Sequence, residues 1–128
     1  MMRYRTWVFT TAAVGLLIGA KLPHTRELVR MLDAEGMRVD RCGSYVDGLR
    51  SIRQRRPDTI VIDADIPGAT GAIPQLRALL PNVLLVLVSA TPATRLRSRE
   101  PVILVNPIDA GEVFAVITRR LARPDLMP

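Results

Sequence analysis

Asp63 is the residue best placed to do chemistry. It closes an apolar run, Thr59-Ile60-Val61-Ile62, and precedes Ala64-Asp65-Ile66-Pro67-Gly68-Ala69-Thr70-Gly71. A buried strand thus ends in a carboxylate, and Pro67 and Gly71 turn the chain beyond it. Such a carboxylate can accept a group covalently, help to hold a cation, or accept hydrogen bonds. Asp65 follows two positions on and is expected to be exposed on the loop. Two further polar residues also close apolar runs: Ser89 after 83–88, and Asn106 after 102–105. Ser89 can donate to an anion. Asn106 can donate too, but it brings no positive charge. Lys21, the only lysine, follows the uncharged stretch 14–20. Its ammonium could pair with Asp63. The plainer reading is a solvated loop lysine.

What is missing narrows the chemistry. No carboxylate precedes Glu27, and no lysine follows Lys21. His24 is a lone imidazole without a Ser or Cys partner arrangement, so it offers no nucleophile-base pair. Gly15 and Gly19 lie within a strand pattern and form no phosphate-cradling loop, which argues against a nucleotide-binding enzyme. One cysteine, Cys42, allows no internal disulfide and supplies no metal cluster, and it fits a small buried apolar residue. A reducing, cytoplasmic setting suits that usage.

The elements that must position these groups alternate along all 128 residues, a length that suits one domain. Apolar residues make up 48% of the chain and aromatics 4%, so Val, Ile, Leu and Ala must build the core. That mix suits a parallel sheet covered on both faces. The first strand is expected over 14–20, with 6–10 as an alternative. A helix follows Pro23, burying Leu28, Met31 and Leu32, and Gly36 stands where a helix ends. Residues 37–42 alternate like a half-buried edge strand. A second helix starts near Ser44, with Asp47 as capping-box partner, and ends in Arg53-Gln54-Arg55-Arg56. Strands at 59–62, 83–88 and 102–105 and helices at 72–80 and after Asp109 complete the pattern. The last helix carries Val113, Val116, Ile117 and Leu121 on its apolar side. The expected division is an N-terminal extension 1–13, a domain 14–122, and a tail 123–128 that frays.

Five strands alternating with helices predict an α/β, doubly wound parallel sheet of flavodoxin-like order 2-1-3-4-5. Asp63, Ser89 and Asn106 then gather at the carboxyl ends of the strands. Pro92, Pro101 and Arg95-Leu96-Arg97-Ser98-Arg99 crowd the short gap between Ser89 and Asn106. The helix expected there, the fourth, is short or absent.

The Asp63–Pro67–Gly71 spacing resembles the phosphoacceptor segment of response-regulator receiver domains. Residues 26–36 resemble the receiver first helix, and Pro57-Asp58 before the strand is a further likeness. The resemblance covers about 14–121. It implies that Asp63 is the phosphoacceptor equivalent and that Ser89 contacts the phosphoryl group. It also implies that Asn106, before Pro107, replaces the family lysine, and that the bond before Pro107 is cis. The family's Mg²⁺-holding acidic pair falls on Gly19-Ala20, or on Ala20-Lys21, so the Mg²⁺ site is expected to be lost and no cofactor is implied. Ile103 takes the place of the family's aromatic switch residue. The likeness is to an atypical, degenerate receiver.

The net charge of +6 favours acidic partners, although losing active-site carboxylates also raises it. The N-terminal basic residues and uncharged run 6–20 outline a secretory signal, but cleavage would remove a strand that the fold needs. The run is also shorter than the about 20 apolar residues of a membrane helix, and no membrane role is expected. The leading expectation is a non-enzymatic, stand-alone receiver of bacterial two-component signal transduction. It would act by protein–protein interaction, with an acidic signalling protein or a second copy as partner. The alternatives are a response regulator phosphorylated on Asp63 and a basic nucleic-acid-binding module using Arg95, Arg97, Arg99 and the second-helix arginines. No recognition-helix motif or stacking-aromatic pattern supports the last.

Overall fold

The computed structural model describes residues 7–8, 13–90, 102–105, 109–121 and 123–124. In chain order the elements are β1 (Trp7–Val8), β2 (Val14–Ile18), α1 (Thr25–Ala34), β3 (Arg38–Cys42), α2 (Tyr45–Gln54) and β4 (Thr59–Asp63). A 3-10 turn at Thr70–Ala72 then leads into α3 (Ile73–Leu79), followed by β5 (Leu84–Ser89), β6 (Val102–Val105), α4 (Ala110–Leu121) and β7 (Arg123–Pro124). Five strands form one parallel sheet in the order β3-β2-β4-β5-β6. Counted from β2, this is the order 2-1-3-4-5 that the alternating pattern predicts.

Strand residues point alternately to the two faces, so one run of apolar side chains feeds two cores. Leu17, Val61, Val86 and Val88 pack with Leu28 and Leu32 of α1 and with Val113 and Ile117 of α4. Leu16, Ile18, Ile60, Ile62, Leu85 and Leu87 pack on the opposite face with Ile52 of α2 and Leu76 of α3. β2, β4 and most of β5 are buried on both sides, as continuous apolar runs require. β3 lies at the sheet edge and is only half covered, which explains its alternating polarity. Cys42 at its end is partly buried against the second core rather than fully enclosed.

Local signals set the boundaries. β2 stops at Ile18, short of the expected 20, because Gly19 turns the chain at φ 131°. Ser44 caps α2 by accepting from the Asp47 N–H at 3.2 Å. Pro74 sits in the first turn of α3, where its missing N–H costs nothing. Asp109 Oδ1 accepts from the Glu112 N–H at 3.2 Å and opens α4.

Val14–Ile18 takes the central place expected of the first strand, and of the alternative segment 6–10 the described Trp7–Val8 lie outside the main sheet. The tail does not fray throughout, since Trp7–Val8 pair antiparallel with Arg123–Pro124. The expected short or absent helix between Ser89 and Asn106 lies outside the described residues. Among the described residues, no helix is long and apolar enough to cross a membrane.

Candidate functional site

The parallel register brings the candidate residues together at the carboxyl ends of the strands. Ile18 lies beside Ile62, so Gly19 follows next to Asp63. Asp63 in turn lies beside Val88, which places Ser89 one step further along the neighbouring strand. Asp63 and Ser89 are both buried, at 8% and 1% exposure. A cavity of about 280 Å³ opens above them, and Lys21, Asp63, Asp65, Ser89 and Ala90 are among its lining residues. In open parallel α/β sheets, ligands bind in this crevice.

Gly19 makes the approach of β2 to Asp63 feasible. A Cβ added there would stand 2.6 Å from Asp63 Cβ, and its φ of 131° disfavours any side chain. In the Gly19-Ala20 register expected for the family's acidic pair, the first position therefore has no room for a side chain. Ala20, common to both expected registers, offers no side-chain ligand atom.

Asp63 Oδ1 accepts from the backbone N–H of Asp65 at 2.9 Å, the local turn that an Asp side chain favours. Asp63 Oδ2 accepts no hydrogen bond among the described residues. Asp65 is exposed, as expected, yet its carboxylate is engaged. Oδ2 accepts from the Ala90 N–H at 2.9 Å, and Oδ1 from the Ser89 hydroxyl at 3.3 Å, long for an O–H donor. Its exposure is as expected; its engagement by the end of β5 goes beyond that expectation.

Lys21 lines the same cavity as Asp63, but no ion pair joins the two in the structure. His24 begins α1 in the left-handed region and is not one of the cavity's lining residues. Cys42 lies at the end of β3. Burial pushes its thiol above its ordinary value, with Asp47 and Asp40 adding to that, against a lowering hydrogen bond with Ser51. It is protonated at neutral pH, a poor nucleophile. Asn106 lies outside the described residues, as do Pro107 and the side chain of Ile103. No group of three or more His, Cys, Asp or Glu gathers among the described residues.

No family model matches the chain, and a comparison with curated proteins finds no match. Solved structures do match it. A CheY-like receiver domain protein from Methanospirillum hungatei JF-1 superposes with a TM-score of 0.73 at 15% identity, covering 85% of this chain and 93% of its own. A CheY-like receiver domain from Methylobacillus flagellatus gives 0.70 at 21% identity, covering 85% and 98%. A mutant of the anti-anti-sigma factor PhyR from Bartonella quintana gives 0.64 at 17% identity, covering 85% of this chain but 48% of its own. With its strand order, its terminal Asp63 and these superpositions, the chain has the fold of the response-regulator receiver domains.

Proposed function

We propose that this chain is an atypical receiver of bacterial signal transduction that acts in the cytoplasm by binding a protein partner. It works without conventional Mg²⁺-dependent phosphorylation and is not an enzyme. The observation that carries this reading is the donor set of the cavity. Two carboxylates face it, and Asp65 is committed to Ser89 and Ala90. Gly19 closes the neighbouring position to any side chain, and among the described lining residues the cation is the Lys21 ammonium. Mg²⁺ demands near-octahedral oxygen ligands, and this set does not fit it. Phosphoryl transfer to a carboxylate depends on such charge compensation.

A partner of acidic surface suits the +6 charge. A protein partner is also consistent with the likeness to PhyR, an anti-anti-sigma factor. The second reading, a phosphoacceptor, is favoured by one observation: Asp63 lines the cavity, and its Oδ2 accepts no hydrogen bond among the described residues.

A chromosomal Asp63→Asn exchange tests the choice. Asn keeps the oxygen that accepts from Asp65 and removes the acceptor for phosphate. The expected result is a strain that behaves like the parent and unlike a deletion of the gene. A D63N strain indistinguishable from the deletion, with normal protein levels, overturns the proposal in favour of the second reading.

A further inference from the structure

β3 is an open edge of the main sheet. It pairs with β2, and no strand lies on its other side among the described residues. The Arg38 N–H donates to the Ala13 carbonyl at 3.0 Å, and the Cys42 carbonyl accepts from the Gly19 N–H at 2.8 Å. Residues 38, 40 and 42 thus bond inward. By the alternation of a parallel ladder, Val39 and Arg41 turn their N–H and C=O groups outward. Beside this edge, between β3 and α2, lies a cavity of about 310 Å³. Its lining residues are all polar: Arg38, Asp40, Arg41, Ser51, Gln54 and Arg55. Arg55 Nη1 donates to both Asp40 oxygens, at 3.3 and 3.2 Å, so that carboxylate is already paired. Arg38 stands 3.9 Å from it with its side chain 65% exposed. Arg41 is exposed and joins no ion pair among the described residues.

We propose that the acidic protein partner docks at this edge. An extended segment of it adds to the sheet as a strand beside β3 and seats its carboxylates in the arginine-lined cavity. The outward groups of Val39 and Arg41 offer main-chain hydrogen bonds to such a strand, the way extended peptides join an open sheet edge. The guanidiniums supply the selection. Three of them face the cavity against one carboxylate that Arg55 already holds, so positive charge is in excess. Their paired N–H donors match a carboxylate in geometry. Charged side chains on an edge strand ordinarily ward off stray strands. Here they ward off basic ones, a second copy included, since it brings its own Arg38 and Arg41. An acidic strand meets attraction instead. The site favours a polypeptide over a nucleic acid. No aromatic side chain lines the cavity for stacking, and the outward N–H and C=O groups match a peptide backbone.

This inference rests on the proposed reading of an acidic protein partner and deepens it, by placing the contact and giving the partner segment its chemistry. The edge belongs to β3 and α2, whereas Asp63 and Ser89 close β4 and β5. Docking there needs no phosphoryl group, so the result at β3 and the result of the Asp63→Asn strain are read separately.

The test is a titration of the full chain, followed by amide NMR, with a synthetic peptide of alternating Glu and Thr. A length of about nine residues spans the five of β3. Saturable shifts are expected at the Ser51 and Arg55 amides. At saturation, hydrogen exchange is expected to slow at the Val39 and Arg41 amides. A peptide with Lys in place of Glu is expected to leave all four unmoved. Arg38→Gln combined with Arg41→Gln exchanges two exposed side chains and should weaken the Glu peptide about tenfold or more, the scale of one hydrogen bond to a charged group. The amides of Val61 and Val86 report that the sheet is intact. No binding of the Glu peptide through millimolar concentration overturns the inference, and so does equal binding of the Lys peptide. Shifts without slowed exchange at Val39 and Arg41 overturn the strand addition. Tighter binding of oligothymidylate at the same residues overturns the choice of a polypeptide. None of these outcomes depends on whether Asp63 is ever phosphorylated.

Discussion

Gly19 shows how much one residue decides at the end of β2. A side chain there meets Asp63 Cβ at 2.6 Å and must also adopt φ 131°. The nearest obstacle is a buried strand residue on a neighbouring element, so it cannot swing away. Gly19→Ala is expected to cost about 2–4 kcal/mol, from backbone strain and overpacking together. Urea unfolding measures this directly, and a loss under about 0.5 kcal/mol, the scale of a neutral surface change, contradicts the account. Asp63 and Ser89 were legible in the sequence because each closes an apolar run. The engagement of Asp65 was not, because it depends on the β4–β5 register and on the turn after Asp63. No local pattern encodes either one. Lys21 was legible as a neighbour of the cavity, while its lack of an ion pair with Asp63 is a matter of side-chain direction.

At the scale of elements, the segment before β4 does more than connect. Asp58 Oδ2 accepts from the Val14 N–H at 2.8 Å, and the Asp58 N–H donates to the Val14 carbonyl at 2.7 Å. The Asp58 carbonyl also accepts from the Leu84 N–H at 3.0 Å. One residue thus ties the starts of β2 and β5 to β4 and helps to fix the register that later aligns Gly19, Asp63 and Ser89. Asp58→Ala leaves the Val14 N–H without this acceptor in a buried stretch. A loss of about 1–3 kcal/mol in stability is expected. Calorimetry or denaturant unfolding checks it, and an unchanged midpoint argues against the tie. The helices were readable from their caps and apolar stripes, with Ser44, Asp109, Leu28 and Ile117 placed as the pattern required. The β1–β7 pair was not readable. Two-residue strands carry no period, and their partners are separated by nearly the whole chain.

At the scale of the molecule, the two cores explain why the fold is shared at 15–21% identity with solved receiver structures. Volume and pattern are kept on both sheet faces while individual residues change, and cores tolerate such exchange. Function does not follow from fold in the same way, since it rests on the groups at one end of the sheet. Among the described residues those groups are two carboxylates, a lysine and a hydroxyl, with a glycine where a side chain would clash. As proposed, this set does not support Mg²⁺-dependent phosphoryl transfer to Asp63. Intact-mass spectrometry after incubation with acetyl phosphate and Mg²⁺, with Asp63→Asn in parallel, tests it most directly. The account predicts an unchanged mass for both proteins in their folded state. An added phosphoryl mass on the parent that is absent from D63N would contradict it.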